Sequence, residues 1–145
     1  MLPQSVIIHE RLANWARQLR PRFPGWPIRW SETRSTPALV RAAWRVPCPI
    51  LILDLGDRPA RGLEDLGAVL EAAPTSLSLV LDPHDHPEVA PMAKELGATI
   101  VLRGPAVPPE VARLLDRWLP LARHRAESGG WFAGLDPEPE PWDET

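Results

Sequence analysis

The spacing of apolar residues in this chain alternates between the two-residue period of a β-strand and the 3.6-residue period of an α-helix. Strand-like runs lie at 5–9, 28–32, 50–55, 77–82 and 98–103. Strict alternation of strand and helix predicts a parallel sheet that is covered by helices on both faces. Because crossover connections are right-handed, we expect an α/β fold, a doubly wound five-stranded sheet with strand order 2-1-3-4-5.

An amphipathic segment follows each strand-like run. Helices are therefore predicted over 11–20, 35–46, 61–73, 86–97 and 108–127. Trp15, Trp44 and Trp118 occupy helix positions that should face the sheet, which predicts that all three enter the core. Trp26 and Trp30 flank the turn into the second strand, where we expect partial exposure.

The length of 145 residues suits one domain with one core, which we place at residues 1–126. Residues 127–145 combine acids with Pro and Gly and show no usable period, which predicts a disordered or loosely docked tail. Its aromatic residues, Trp131, Phe132 and Trp142, are more typical of a docking peptide than of a spacer.

Composition points to a cytoplasmic protein without a membrane segment. No apolar run approaches the length of about 18 residues that a membrane span needs. The single Cys48 has no partner for an internal disulfide and should pack near the start of the strand over 50–55. The net charge of −3 and the lack of a recognisable nucleic-acid motif argue against a nucleic-acid partner, although the first 45 residues are rich in Arg.

Polar and charged residues follow the strands at the ends where open α/β sheets bind ligands. The buried third strand ends at Asp54 and continues into Gly56, within the sequence CPILILDLGDRP (48–59). The other strands bring further side chains to the same predicted edge: His9 and Glu10 after the first, Asp82 after the fourth, and Arg103 after the fifth.

This order of elements, with Asp54 at the end of the third strand, resembles the receiver domain of bacterial response regulators over residues 5–126. The resemblance implies that Asp54 is the phosphoacceptor. Receivers place two acids after strand 1, where this chain has His9 and Glu10, and they hold Mg²⁺ there with the acceptor. Glu10, Asp54 and the backbone carbonyl of Gly56 are therefore the implied Mg²⁺ ligands, and no other cofactor is expected.

The sequence departs from the receiver pattern at the groups that hold the phosphoryl oxygens. Asp82 occupies the position of the usual hydroxyl, and its charge would repel a phosphoryl group by ~1 to 4 kcal/mol. Arg103 occupies the position of the usual Lys, whereas the only lysine, Lys94, falls on the predicted fourth helix. We therefore expect a regulatory protein-interaction module that is not an enzyme and is not phosphorylated in the ordinary way; a phosphorylatable switch at Asp54 is the alternative.

The resemblance also implies where a protein partner would bind. Receivers commonly use the surface of helix 4, strand 5 and helix 5, which here includes Arg103, Val107, Arg113 and Arg117. Whether the chain forms a homodimer stays open.

A different function is suggested by the sequence DPHDHPE (82–88). His84 and His86 could chelate a transition metal, with Asp82 or Asp85 and even His9 completing the shell, which would make a metal-dependent enzyme the second alternative. A solvated loop that leads into the fourth helix is the simpler interpretation. No Gly-rich phosphate loop follows the first strand, which argues against a Rossmann or P-loop mode of nucleotide binding.

Overall fold

The computed structural model describes residues 3–128 and contains one five-stranded sheet. Every neighbouring pair of strands is parallel, and the strand order is β2-β1-β3-β4-β5, so the predicted topology is confirmed. The strands are β1 (Gln4–His9), β2 (Ile28–Thr33), β3 (Ile50–Asp54), β4 (Leu77–Asp82) and β5 (Ile100–Arg103).

Five helices connect or follow these strands. They are α1 (Asn14–Leu19), α2 (Thr36–Trp44), α3 (Pro59–Ala72), α4 (Val89–Leu96) and α5 (Pro108–Glu127), and a short 3₁₀ turn at Arg20–Arg22 follows α1. The predicted boundary between domain and tail falls at the end of α5. Of the predicted tail, residues 129–145 lie outside the described part of the chain, and so do the tail's three aromatic residues.

The sheet separates two apolar layers, because successive side chains of a strand point to opposite faces. In β3, Ile50 and Ile52 pack in the layer that contains α1 and α5. Leu51 and Leu53 pack in the layer that contains α2, α3 and α4. All four side chains are fully buried, as a strand covered on both faces requires.

The prediction that three tryptophans enter the core is right for two of them. Trp15 and Trp118 are buried, but Trp44 is 65% exposed. The buried stripe of α2 passes through Leu39 and Ala43, and Trp44 lies about 100° further around the helix. Its ring instead lies 5.9 Å from the guanidinium carbon of Arg45. The periodicity therefore identified the correct helix but assigned it too wide an apolar face.

Two other expectations about burial are confirmed. Cys48 is buried just before β3, and Trp26 and Trp30 are partly buried, as predicted. On α4, Val89 and Ala93 are buried, whereas Met92 is 48% and Leu96 42% exposed. Within residues 3–128, none of the helices has the length and apolar character that crossing a bilayer would demand.

Candidate functional site

The carboxyl ends of the strands gather the predicted site residues along one edge of the sheet. The register places His9 beside Leu53 and Asp54 beside Leu81, and it pairs Asp82 with Arg103. This edge is where ligands bind in open parallel sheets. The contacts that each side chain makes there determine what the edge can do.

Asp54 is partly buried and is held by two neutral donors. The indole Nε1 of Trp15 donates to Oδ2 of Asp54 at 2.8 Å, and the backbone N–H of Gly56 donates to Oδ1 at 2.8 Å. Gly56 adopts a left-handed backbone with φ of 58°, which a residue without a Cβ reaches at little cost. Both oxygens of the predicted phosphoacceptor therefore already take part in contacts within the domain.

Glu10 caps the first helix with its carboxylate. Its Oε1 accepts the backbone N–H of Trp15 at 3.0 Å, and its Oε2 accepts that of Ala16 at 3.1 Å. The residue that precedes α1 is Ala13, which has no side-chain acceptor of its own. Glu10 is buried, so its charge is stabilised by these amides at the positive end of the helix.

His9 belongs to a buried polar network. Its Nε2 lies 2.8 Å from Oδ2 of Asp65, and its Nδ1 lies 2.8 Å from Oγ1 of Thr33. An ionised carboxylate can only accept, so Nε2 carries a proton, and in a neutral ring Nδ1 accepts from the Thr33 hydroxyl. The hydroxyl of Thr36 donates to the other oxygen of Asp65. Through this network His9, which stands where receivers have an acid, links β1 to β2, α2 and α3.

Sequence reasoning did not identify Asp65, Thr33 or Thr36, nor the contact of Trp15 with Asp54. One signal was present: Asp65 lies four residues before the buried Val69, on the face of α3 that packs against the sheet. An acid on an apolar face requires a partner, because an unpaired buried charge is very costly. The partner itself, 56 residues earlier in the chain, could not be read from the spacing.

Asp82 and Arg103 each form hydrogen bonds with a residue of the loop after β4. Asp82 is fully buried and accepts the backbone N–H and the Nδ1 of His86, at 2.7 and 2.9 Å. Arg103 donates its Nε to Asp85 at 2.8 Å, and this pair is exposed. Lys94 contacts the carbonyl of Thr99 at 3.4 Å on the surface of α4. Neither cation contacts Asp54.

In this conformation the carboxylate oxygens that the resemblance assigns to Mg²⁺ already accept hydrogen bonds within the domain, and a Mg²⁺ site at Glu10, Asp54 and Gly56 stays a prediction. Mg²⁺ requires near-octahedral oxygen ligands, often from two or more carboxylates. The oxygens of Glu10 and Asp54 accept protein N–H groups, and His9 is bonded on both ring nitrogens. Over the described range 3–128, no three His, Cys, Asp or Glu side chains are grouped so that they would hold a metal ion. His84 and His86, whose ring centroids are 6.0 Å apart, stay a prediction as a transition-metal pair.

The topology and the acid at the end of β3 define a receiver-like α/β domain with the flavodoxin-like fold. The sequence matches no family model and no curated protein. The likeness therefore comes from solved structures.

Two of these structures are response regulators. The chain is similar to the RcsB response regulator of Salmonella typhimurium, with 18% identity and a TM-score of 0.62 over 80% of this chain; it spans only 58% of that chain. It is also similar to the chemotaxis response regulator CheY4 of Vibrio cholerae, with 18% identity and a TM-score of 0.62, covering 82% of this chain and 100% of the other.

A third similar structure is that of an enzyme. It is an adenylate cyclase of Rhodopirellula baltica, with 12% identity and a TM-score of 0.70, covering 93% of this chain and 100% of the other. At identities this low, the three comparisons show the fold of receiver domains and do not transfer a site or an activity.

Proposed function

We propose that the chain is a receiver-like regulatory module that acts through protein–protein contacts and is not phosphorylated at Asp54 in the ordinary way. The single observation that carries the proposal is the hydrogen bond from the Trp15 indole to Oδ2 of Asp54. Trp15 is a buried core residue, so this donor is fixed by packing of the apolar layer rather than by a mobile loop.

Phosphorylation of a carboxylate requires that the added negative charge be neutralised and held in place. The two groups that donate hydrogen bonds to Asp54, an indole and a backbone amide, are neutral, and no guanidinium or ammonium group of the described residues contacts its carboxylate. If a phosphoryl group displaced the indole, the buried Nε1 of Trp15 would lose its acceptor at a cost of about 1–3 kcal/mol. Asp82 adds a buried negative charge at the position of the usual hydroxyl, and Arg103 pairs with Asp85.

The partner surface that we propose lies at the β5 edge of the sheet. A groove of about 240 Å³ runs along β5 and α5 and is lined by Ile100, Leu102, Glu110, Arg113, Leu114 and Arg117. Val107, at the start of α5, is 57% exposed. Because β5 ends the sheet, one side of its backbone is free to pair with an added segment. Apolar side chains beside two guanidinium groups favour a partner segment that is both apolar and acidic.

The first test is exposure of the protein to Mg²⁺ and beryllofluoride, which mimics a phosphoryl group on the acceptor. We expect no saturable change in tryptophan fluorescence or in amide NMR shifts, because Trp15 already occupies the acceptor. A receiver that does bind beryllofluoride serves as the positive control for the reagent.

Two variants make the result specific. A saturable change that disappears in Asp54→Asn but persists in Asp57→Asn would show that Asp54 is a working phosphoacceptor and would reject the proposal. Asp57 is a suitable control because it is an exposed acid on the same loop, in a long contact of 3.4 Å with Arg11. Titration with Zn²⁺ in the same samples tests the alternative site at His84 and His86.

A further inference from the structure

A cleft of about 170 Å³ lies beside Asp54. It is bounded by the carboxyl ends of β1 and β3, the loop after β2 and the first turns of α3. Its lining residues all lie between His9 and Asp65, so it is separate from the β4 and β5 positions at which a receiver would hold phosphoryl oxygens. Four of the lining residues are arginines: Arg11, Arg34, Arg58 and Arg61. They come from three different loops or helix starts and meet only in the folded chain.

Most of this positive charge is not used inside the protein. Among the residues that the model describes, Arg58 and Arg61 form neither a hydrogen bond nor an ion pair with another side chain. Arg11 contacts Asp57 at 3.4 Å, and both side chains are more than 60% exposed, so this pair contributes little. Arg34 donates its Nε to the backbone carbonyl of Arg11 at 3.0 Å, which positions it and leaves its terminal nitrogens available.

Three carboxylates also line the cleft, and each already accepts two hydrogen bonds from the protein. Glu10 accepts two backbone amides, Asp54 accepts Trp15 and Gly56, and Asp65 accepts His9 and Thr36. These acids therefore do not bind the arginine side chains. The guanidinium groups keep their hydrogen-bond donors for a ligand.

We propose that this cleft binds a small anion that carries a phosphate group. Planar guanidinium groups bind phosphate through paired N–H donors, and four of them surround a volume that suits a compact ligand. The volume is below the roughly 300–1,000 Å³ of sites that hold drug-sized molecules. Inorganic phosphate and the phosphate of a small monoester share the chemistry that the cleft recognises. Binding is non-covalent and requires no transfer of a phosphoryl group to Asp54.

The test is a titration of the full chain with inorganic phosphate, followed by amide and arginine Nε–H NMR shifts at constant ionic strength set with chloride. We expect saturable shifts at Gly56, Gly62 and the Nε–H of Arg34, with the affinity decreasing as chloride rises. Sulfate should compete, and acetate should bind much more weakly. Titration with glycerol phosphate in parallel shows whether a monoester binds as well as free phosphate does.

Variants identify the site. Arg58→Gln and Arg61→Gln should each weaken phosphate binding at least tenfold, since each removes a charged donor. Arg41→Gln is the matched control, because Arg41 is exposed near the end of α2 and does not line the cleft. Equal affinity in all three variants, or shifts that do not saturate, would overturn the proposal.

Asp54→Asn separates this proposal from phosphorylation. Removal of the Asp54 charge should strengthen phosphate binding a few-fold, because the carboxylate lines the cleft and repels the anion. Shifts that require Mg²⁺ and vanish in Asp54→Asn would assign the effect to a phosphoacceptor, and they would overturn the cleft proposal as well. A cleft that binds no phosphate leaves the proposed function of the module unaffected.

Discussion

At the scale of single residues, many polar side chains at the carboxyl ends of the strands form hydrogen bonds with one another. His9 and Asp65 are each at least 93% buried and face one another at 2.8 Å. Trp15 and Asp54 are joined across 39 residues of sequence. In this structure, His9 and Asp54, which stand at positions that hold metal or phosphoryl in a receiver, form hydrogen bonds within the domain. Each of them can be removed by a nearly isosteric substitution.

The first prediction concerns Asp65. In Asp65→Asn the side chain can accept from only one of His9 and Thr36, and its NH₂ group faces the other donor. We expect the free energy of unfolding to fall by about 1–3 kcal/mol. The measurement is chemical denaturation followed by tryptophan fluorescence, with the slope of the transition compared between proteins.

Glu64→Gln is the control for that measurement, because Glu64 is the exposed neighbour of Asp65 on α3. Its free energy of unfolding should lie within about 0.5 kcal/mol of that of the unmodified chain, as is usual for surface substitutions. Equal stability of the two variants would mean that the network around His9 contributes nothing.

At the scale of elements, α1 is the part of the fold that depends most on the site residues. It has six residues, which is too short for an isolated helix to persist in water. It is held by burial of Trp15, Ala16 and Leu19 and by the carboxylate of Glu10 at its start. A side chain that the receiver pattern assigns to a metal therefore organises the helix that carries the donor to Asp54.

The second prediction follows from this role of Glu10. Glu10→Ala leaves the N–H groups of Trp15 and Ala16 without their acceptors, and we expect a loss of about 1–2 kcal/mol of stability. Hydrogen exchange of these two amides should accelerate more than that of the strand amides. Glu10→Gln keeps one acceptor oxygen, so its stability and its amide exchange rates should lie between those of the unmodified chain and those of Glu10→Ala. If Glu10→Ala leaves both exchange and stability unchanged, the carboxylate is not the cap of α1.

At the scale of the whole molecule, Cys48 reports on opening of the core. It is 2% exposed, it adopts a left-handed backbone with φ of 43°, and its Sγ contacts the carbonyl of Thr75. Burial raises the pKa of the Cys48 thiol, and nearby Arg125 offsets part of that increase. The thiol is therefore neutral at neutral pH, whereas the ionised form is the nucleophile.

The third prediction is that Cys48 reacts with iodoacetamide at neutral pH only as fast as the chain opens. We expect alkylation of the native protein to be at least a hundredfold slower than that of the urea-unfolded protein at the same pH. Because the folded-state pKa is raised, the contribution of this group to stability is complete below its unfolded pKa and is lost as pH rises through the folded value. Similar rates in native and unfolded protein would contradict the burial of this thiol.

The sequence by itself determined the elements, because the periods of 2 and 3.6 residues are local properties that record which faces are buried. Their strict alternation, together with right-handed crossovers, then predicted the strand order. The resemblance to receivers, drawn from the same order of elements, led to the prediction that Asp82 and Arg103 stand where receivers have a hydroxyl and a lysine. The same reasoning placed Trp44 in the core, where tertiary packing left it exposed, because periodicity does not tell how wide a face the neighbouring elements cover.

Only the tertiary structure decided which side chains meet at the edge of the sheet. The pairing of Trp15 with Asp54, the network of His9 with Asp65, and the cleft formed by Arg11, Arg34, Arg58 and Arg61 all join residues from different β/α units. Such contacts depend on loop geometry and side-chain direction to within an ångström or so. No local spacing along the chain contains that information.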